Sequence, residues 1–300
     1  MEKKTVVGLG EALWDCLPEG RKLGGAPANF AYHAQAQGMD GNVVSAVGKD
    51  ALGDEIIEQL DDKGLHLAIE RVGTPTGTVQ VTLSGDGIPS YDICRGVAWD
   101  NIPWSDSLKE LAARTDAVCF GSLAQRSGVS RDTIARFLES TPASALRVFD
   151  INLRQDFYSE YIIDQSLKAA NILKINDDEW DIVKPMLGLG GGTATAERYT
   201  AGWFDGLTEL VSRYDLKLLI LTCGTSGSYV FDKTGRLSFQ PTPKVEVVDT
   251  VGAGDSFTGS FVASLLKGMP VEEAHKKAVS VSAFVCTQAG PMPSLPEELR

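Results

Sequence analysis

The sequence predicts an α/β protein in which helices cover both faces of a mostly parallel sheet, with a small antiparallel sheet attached to it. Two observations lead to this prediction. Short apolar runs alternate with amphipathic segments through most of the 300 residues, which is the order of elements found around a parallel sheet. One segment in the first hundred residues breaks this order, because its apolar and polar residues alternate with a period of two.

Six short apolar runs have the length and composition of strands that are buried on both faces. They are Thr5–Gly10, Asn42–Val47, Asp116–Phe120, Leu146–Asp150, Ile172–Ile175 and Lys217–Thr222. Nine amphipathic segments between and after these runs predict helices. They are residues 26–38, 51–64, 105–114, 130–140, 160–170, 177–187, 197–214, 255–268 and 271–288. We therefore expect a three-layer arrangement with the sheet in the middle.

The segment with the period of two predicts a hairpin. Apolar and polar residues alternate in Gly77–Ser84 and in Ser90–Cys94, on either side of a turn at Gly85-Asp86-Gly87. Ala12–Lys22 is a further extended piece that completes a small sheet. We expect residues 12–23 and 76–100 to form a lid on a single domain that spans residues 1–300. Such a sheet has one face to cover, so it should close over a site or pair with a second subunit.

Composition excludes several classes of partner. The net charge is −12 and no cluster of Lys and Arg occurs, which argues against nucleic acid and an anionic membrane surface as partners. No apolar run approaches the roughly 20 residues that a membrane helix requires, and we expect the protein in the cytoplasm. The five cysteines are scattered without a Cys-x-x-Cys spacing. This pattern argues against a zinc site and against a disulfide framework.

The run Asp249–Phe257 is the most informative motif of the chain. It reads Asp-Thr-Val-Gly-Ala-Gly-Asp-Ser-Phe and precedes a helical pattern, so its small residues would form a first helical turn with free N–H groups that can bind a phosphate. The acid Asp255 would repel that phosphate, which suggests the role of a general base toward an attacking hydroxyl. The alternative is that Asp255 stabilises the helix start and the glycines form a tight turn.

A second glycine pair opens the predicted helix at residue 26. In Gly24-Gly25-Ala26-Pro27-Ala28-Asn29, Pro27 suits a first helical turn, and the glycines permit close approach of a ligand. Asn29 can bind a sugar hydroxyl or satisfy the helix start. Asp15 follows a strand-like segment and can accept from paired hydroxyls or belong to a turn.

The order of the motifs resembles the PfkB, or ribokinase-like, family of carbohydrate kinases, and among them the bacterial fructokinases. The resemblance covers nearly the whole chain. The segments that carry it are Gly10-Glu11-Ala12-Leu13 with Asp15, Gly24–Asn29, Gly121-Ser122-Leu123, Asp150–Arg154, Asn176–Glu179, Thr222–Gly227 and Asp249–Asp255. It implies a ribokinase-like three-layer αβα sandwich with a β lid, and an ATP-dependent sugar kinase.

The resemblance implies a role for each matching residue around the sugar and the transferred phosphoryl group. Asp255 matches the catalytic base, and Gly252, Ala253 and Gly254 match the anion hole. Residues that match sugar-binding positions are Asp15, Gly25 and Asn29, and the glycine pair also matches a hinge for lid closure. Closure would exclude water and limit ATP hydrolysis.

It also implies a nucleotide site. Asn176 and Glu179 match the Asn-x-x-Glu motif, in which the carboxylate holds Mg²⁺ through water, although both residues also suit a helix start. The positions that match nucleotide contacts are Asn176, Thr222, Gly224, Gly227 and Gly254. For Thr222 and the turn after it, a simple strand-to-turn connection is the alternative.

Three further expectations concern charge. Arg154 is a candidate cation for the substrate or the transferred phosphate, with a structural ion pair as the alternative. Arg95 could reach the sugar from the lid or remain a solvated surface residue. Some family members bind K⁺ near the anion hole, and Asp249 and Val251 match that site.

The sugar itself depends on the lid. The run Arg95–Asp100 differs from the sequence that is frequent at this place in fructokinases. The difference bears on the identity of the sugar and does not affect the phosphoryl-transfer motifs. Fructose is the first expectation, followed by 2-keto-3-deoxygluconate or ribose, and Trp99 or Trp104 would suit a nucleoside. The alternative from another class is a catalytically silent regulator that binds sugar or nucleotide. Sugar and ATP are the expected partners, and pairing through the lid would give a homodimer.

Overall fold

The computed structural model describes residues 3–17, 20–83, 89–189 and 198–300. Its strands are β1 Thr5–Leu9, β2 Leu13–Leu17, β3 Gly20–Gly24, β4 Asp40–Gly48, β5 His66–Val72, β6 Gly77–Leu83, β7 Pro89–Ile93, β8 Ala117–Phe120, β9 Leu146–Asp150, β10 Ile172–Asn176, β11 Leu218–Thr222, β12 Ser228–Asp232 and β13 Gly235–Gln240. Its α-helices are α1 Ala26–Ala36, α2 Ala51–Asp62, α3 Asp106–Ala113, α4 Gly128–Ser140, α5 Glu160–Ala169, α6 Asp177–Met186, α7 Ala201–Arg213, α8 Ala253–Leu266 and α9 Val271–Cys286. Each predicted helix is confirmed, with ends that differ by up to four residues.

The main sheet has nine strands in the order β13-β12-β11-β10-β9-β8-β1-β4-β5. All pairs from β5 to β11 are parallel, and β12 and β13 add an antiparallel edge. The six predicted strands are confirmed. Three more, β5, β12 and β13, were not predicted, because they lie toward the two ends of the sheet and mix polar with apolar side chains.

Alternate residues of the central strands point into separate cores on the two faces. Val7 and Phe149 pack into one core with side chains of α3–α7. Val6 and Val148 pack into the other with Phe257 and further side chains of α1, α8 and α9. This alternation follows from the pleat of a strand and gives the predicted three layers.

The small sheet has the order β3-β2-β6-β7 and is mixed, whereas the sequence predicted it to be antiparallel. The pairs β2–β3 and β6–β7 are antiparallel, and β2 and β6 run parallel. The reason is the connection: α1, β4, α2 and β5 lie between β2 and β6, so the chain returns to the small sheet in the original direction. The predicted turn at residues 85–87 lies outside the described residues.

A buried ion pair fixes the chain where it leaves the small sheet. Arg126 donates from Nε to Asp100 Oδ1 at 2.8 Å and from Nη2 to Asp100 Oδ2 at 3.0 Å. Its guanidinium also lies 3.9 Å from the ring centroid of Trp99 and donates to the carbonyl of Cys94. The same carboxylate accepts from the amide of Gly96 at 2.9 Å. This exit of the small sheet is therefore held by charge, hydrogen bonds and packing together.

Glycines allow α1 to lie close to both β1 and α8. A β carbon at Gly8 would overlap the carbonyl of Pro27 in α1. One at Gly259 of α8 would come within 2.7 Å of the carbonyl oxygen of Phe30. The close approach brings the first turns of α1 and α8 together at the carboxyl end of the main sheet. No described helix is long and apolar enough to span a membrane.

Candidate active site

Polar residues gather where neighbouring parallel strands end. Glu11 follows β1, Gly121 follows β8, Asp150 ends β9, Asn176 ends β10 and Thr222 ends β11. The carboxyl ends of parallel strands meet at one edge of the sheet, where α/β proteins bind their ligands. A cavity at this edge is lined by Glu11, Ala26, Pro27, Phe30, Cys119, Phe120, Gly121, Asp150, Asn152 and Asp255.

The start of α8 has the geometry expected of an anion site. Its N-cap, Gly252, has φ 78° and gives no side-chain cap. The amide of Ala253 donates to the carbonyl of Thr250 at 3.3 Å, so the N–H group of Gly254 is the one that faces outward from the first turn. A β carbon at Gly252 would lie 2.6 Å from Pro291. Both the left-handed conformation and the contact require glycine here.

Asp255 lies in this first turn and is held by Asn29. The Asn29 amide donates to Asp255 Oδ2 over 2.7 Å, which joins two residues that are 226 positions apart in the chain. Removal from water is the main cause that raises the pKa of Asp255 to about 6, and the charge of Asp150 adds to it. The hydrogen bond from Asn29 and the charges of Lys174 and Arg154 oppose the rise. Near neutral pH the group is mostly an anion that can take up a proton.

Lys174 is a buried cation behind the helix start, and sequence reasoning missed it. Its ammonium lies 3.0 Å from Asp150 Oδ1 and 3.0 Å from the place where a β carbon of Gly254 would stand. Burial lowers its pKa, but the charges of Asp150, Glu179 and Asp255 outweigh burial and hold the pKa above its usual value. A lone lysine inside the apolar run of β10 was the available signal, since a charge in a buried strand needs a partner.

Glu11 is a second residue that sequence reasoning did not assign to the site. Its side chain is 4% exposed, and Oε2 has no hydrogen-bond partner among the described residues. Burial is the main cause that raises its pKa to about 7, with a contribution from the charge of Asp255. An acid that directly follows a buried strand was the only signal in the sequence.

Gly25 and Arg154, two of the predicted substrate-binding residues, lie close to acids of this cavity. Asp15, on β2, is half-buried, and burial raises its pKa against the charges of Arg154 and Lys22. Gly25 has φ 127°, and a β carbon there would come 2.5 Å from the carbonyl oxygen of Glu11. Arg154 is exposed, but its charge lowers the pKa of Glu11, Asp15 and Asp255 alike. It is therefore the cation that these three acids share.

Asn176 and Glu179 form a capping box at the start of α6. Asn176 Oδ1 accepts from the amide of Glu179 at 2.8 Å, and Glu179 Oε2 accepts from the amide of Asn176 at 2.9 Å. Glu179 Oε1 also accepts from the amide of Leu153 at 3.0 Å. Each carboxylate oxygen thus has a backbone donor and keeps a second lone pair, which suits contact with a hydrated metal ion better than direct ligation. No described group of three or more His, Cys, Asp or Glu residues could hold a metal by itself.

The predicted nucleotide residues lie beside Asn176. Thr222 is its register partner on β11, and the chain then makes a single 3₁₀ turn at Gly224–Ser226. Gly224 and Gly227 have φ 50° and 102°, conformations that favour glycine. A turn of this kind exposes backbone groups beside the ends of β10 and β11.

Asp249 and Val251 lie just before α8. One oxygen of Asp249 accepts from the amide of Val251 at 3.0 Å and the other from the amide of Gly290 at 3.3 Å. Lys22 of β3 lies 3.8 Å from the same carboxylate. This lysine already supplies positive charge where the sequence predicted a monovalent cation.

Arg95 lies apart from this cavity. Its guanidinium pairs with Asp156 at 3.2 Å and stacks 4.3 Å from the ring centroid of Phe157. It lines a separate cleft together with Gly96, Asp100, Asn101, Arg126 and Ser127. Arg95 is not among the residues that line the cavity with Asp255.

The arrangement can activate a hydroxyl and stabilise an anion at the same place. Asp255 supplies a carboxylate with a pKa near neutrality, and the first turn of α8 supplies N–H donors. Lys174 supplies a fixed positive charge behind them. A base, an anion hole and a cation at one edge of the sheet are the groups that phosphoryl transfer to an alcohol requires.

Comparison with known proteins agrees with this chemistry. A family described as pfkB family carbohydrate kinase matches residues 19–298. Fructokinase from Salmonella typhimurium is 31% identical over 311 residues, covering 96% of this chain and 95% of that protein. ATP-dependent 6-phosphofructokinase from Thermoanaerobacterium thermosaccharolyticum is 30% identical over 288 residues, covering 95% of this chain and 85% of that protein.

Among solved structures, fructokinase with bound ATP from Xylella fastidiosa has a TM-score of 0.83 to this chain at 20% identity, covering 99% of this chain and 96% of that one. The fold is the ribokinase-like αβα sandwich, as predicted. The family match extends over most of the sequence and includes the start of α8, the ends of β8 to β11 and every residue of the cavity lining except Glu11. The chain therefore belongs to the pfkB family of carbohydrate kinases.

Proposed function

We propose that this protein transfers the γ-phosphoryl group of ATP to a primary hydroxyl of a free sugar, with Asp255 as the base. The observation that supports this most directly is the contact between Asp255 and Asn29 at the uncapped start of α8. It joins a carboxylate with a raised pKa, in the first turn of α8, to a side-chain amide on α1. The sugar hydroxyl gives its proton to Asp255 while its oxygen attacks phosphorus in line with the departing ADP.

The remaining groups bind and orient the reactants. In this proposal Asp15, Asn29 and the backbone at Gly25 hold sugar hydroxyls, and Arg154 balances the acids at the entrance. The backbone at Gly252, Ala253 and Gly254 binds the transferred phosphoryl group, with the charge of Lys174 behind it. Residues at the ends of β10 and β11, including Asn176, Thr222, Gly224 and Gly227, hold the nucleotide.

The nucleotide in this proposal is ATP, which the related 6-phosphofructokinase uses by name and the similar fructokinase structure contains. Mg²⁺ would enter on the phosphates and meet Glu179 through water, which agrees with the backbone donors already on both oxygens of that carboxylate. The ion would neutralise charge that develops on the phosphate oxygens. Asp249 and Val251 would hold K⁺ only if Lys22 moves away from the Asp249 carboxylate.

Fructose is the sugar that we propose first, because the Salmonella fructokinase covers nearly the whole chain. Fructose 6-phosphate is the competing candidate substrate, because one of the related proteins is a 6-phosphofructokinase. A sugar phosphate needs a cation that is free to bind it. In the second cleft, Arg126 is paired with Asp100 and Arg95 with Asp156. Arg154 faces Glu11, Asp15 and Asp255, and this excess of acids favours the free sugar.

A panel of substrates with MgATP tests the proposal. Fructose, fructose 6-phosphate, ribose, 2-keto-3-deoxygluconate and a nucleoside would each be assayed for ADP release and for a phosphorylated product. We expect turnover to be fastest with fructose. Activity only on a nucleoside or on fructose 6-phosphate would overturn the choice of sugar, and ATP binding without any product would favour a silent regulator.

We also propose that the small sheet mediates a homodimer. Its two edge strands, β3 and β7, end the order β3-β2-β6-β7, and an edge strand carries unpaired backbone groups that a second copy can meet. Sedimentation at micromolar concentration checks this proposal. A monomer under those conditions would contradict it.

A further inference from the structure

Glu11 is a buried acid of the cavity that the proposed reaction does not use. Its side chain is 4% exposed and lines the cavity together with Asp255 and Asp150. Its Oε2 receives no hydrogen bond from any described residue. A buried carboxylate oxygen without a donor disfavours the charged form of the group, because neither water nor the protein solvates it.

Asp255 differs from Glu11 in this respect. Asn29 donates to Asp255 Oδ2 at 2.7 Å, and the charge of Lys174 also favours the anion. The groups around Glu11 come from several elements. They are Asp255 on α8, Asp150 at the end of β9, Arg154 beyond β9, Cys119 on β8, Lys174 on β10 and the amide of Ala26 on α1. Asn29 thus donates directly to Asp255, whereas the backbone amides of Glu11 and Ala26 lower the pKa of Glu11 without reaching Oε2, which has no donor among the described residues.

We propose that Glu11 is the proton-holding partner of Asp255, so that the two acids carry a single negative charge, placed on Asp255, when sugar and MgATP bind. Two neighbouring carboxylates in a water-poor cavity do not ionise together readily, and their protons belong to the pair. The pKa of about 7 for Glu11, against about 6 for Asp255, agrees with this order of ionisation. This inference rests on the proposed function, since it assigns Glu11 a part in that site.

The protonated state of Glu11 has a consequence for nucleotide binding. With one charge on the pair, Asp255 remains a base and the cavity carries no second unpaired anion against the triphosphate, because Asp150 is paired with Lys174. When Glu11 loses its proton above neutral pH, that second charge appears and repels MgATP. Glu11 is thus a positioning residue that sets the charge of the cavity.

The pH dependence of kcat/KM for MgATP tests this role. For the wild type we expect kcat/KM to fall about fivefold to tenfold between pH 6.5 and pH 8, following the protonated fraction of a group with a pKa near 7. Glu11→Gln carries no charge at either pH, so its ratio should approach one. Glu110→Gln, at an exposed glutamate of α3, is the matched control and should keep the wild-type ratio. If Glu11→Gln keeps that ratio too, or loses activity equally at both pH values, Glu11 does not hold the proton.

Difference infrared spectroscopy between the two pH values gives a readout that needs no turnover. The C=O band of a protonated carboxyl group that disappears between pH 6.5 and pH 8 should be equally strong in the wild type and in Glu110→Gln. In Glu11→Gln it should shrink to the smaller contribution of Asp255, whose pKa is about 6. A band of wild-type intensity in Glu11→Gln would overturn the inference. If the band shrinks but no sugar is phosphorylated, the proposed function has failed and the assignment of the proton stands.

A second variant keeps the test decisive if Glu11→Gln does not fold. Asp255→Asn removes the neighbouring charge, so the band of Glu11 should titrate at a lower pH than in the wild type. An unchanged midpoint would show that the two acids are independent. That result would also overturn the inference.

Discussion

Asp255 combines a hydrogen bond to Asn29 with burial, and these act on its pKa in opposite directions. Burial prevails and raises the pKa to about 6. The pKa is therefore closer to neutral pH, but the carboxyl group is still mostly ionised at pH 7. At the scale of single residues the site therefore depends on a few charges in close contact. Two substitutions test their roles separately.

Asp255→Ala should lose about 10²–10⁴-fold in kcat, the usual contribution of a general base, and retain sugar binding measured by calorimetry. In the wild type, kcat/KM should fall as the pH drops through about 6, because protonation removes the base. Wild-type turnover in Asp255→Ala would contradict its role.

Lys174→Met should lower both activity and stability, because it leaves the buried Asp150 without its partner. Breaking such a pair costs about 3–5 kcal/mol, measurable by urea denaturation. The double variant Lys174→Met with Asp150→Asn removes both charges and should recover part of the stability. Activity should stay at least about 10²-fold below the wild type in both variants, as for the loss of a charge at a phosphoryl site. Recovery of activity along with stability would make Lys174 a purely structural residue.

At the scale of elements, the start of α8 depends on a glycine that satisfies two requirements at once. Gly252 adopts φ 78° and lies against Pro291. Gly268, after the same helix, has φ 80° and no heavy atom within 4 Å of its virtual β carbon. The two positions share a backbone conformation and differ only in their surroundings.

Gly252→Ala and Gly268→Ala therefore form a matched pair. Both should lose about 1–2 kcal/mol for the left-handed conformation, as measured by thermal unfolding. Only Gly252→Ala should also displace the first turn of α8 and lose about 10²-fold in kcat, comparable with the loss of an anion-hole donor. Equal activity in the two variants would show that the contact with Pro291 does not position the anion hole.

The elements were largely predictable because their periodicity is strong. The nine predicted helices and six predicted strands, all found in the described part of the chain, follow apolar spacing that the local sequence contains. The pairing of β2 with β6 does not follow from it, since the parallel direction is set by the intervening elements. Likewise Asp255 and Asn29 were recognisable as motif residues, whereas Lys174 and Glu11 derive their importance from neighbours distant in sequence.

At the scale of the whole molecule, the buried acids link stability to pH. The pKa of Glu11 rises from 4.5 to about 7 on folding, so the folded protein binds more protons than the unfolded chain between these values. Stability contributed by this group is therefore present at low pH and is lost as the pH rises toward 7.

Glu11→Gln removes this dependence. Relative to the wild type, its unfolding free energy should increase by up to about 3 kcal/mol between pH 4.5 and pH 8. Urea denaturation at several pH values measures the difference, with Glu110→Gln as the control that should follow the wild type. A constant difference between Glu11→Gln and the wild type would mean that Glu11 ionises normally in the folded protein.

Gly8 shows how far the demands of the cavity extend into the fold. It lies in the middle of β1, where any β carbon would overlap the carbonyl of Pro27 and push α1, with Asn29, away from Asp255. In a mutational scan scored by growth on the substrate sugar, every substitution at Gly8 should therefore be as damaging as one at the base. A map of the positions that tolerate no substitution would thus include Gly8, a residue of the central strand that has no side chain. Only a separate measurement of protein abundance would distinguish it from the residues that touch the reactants.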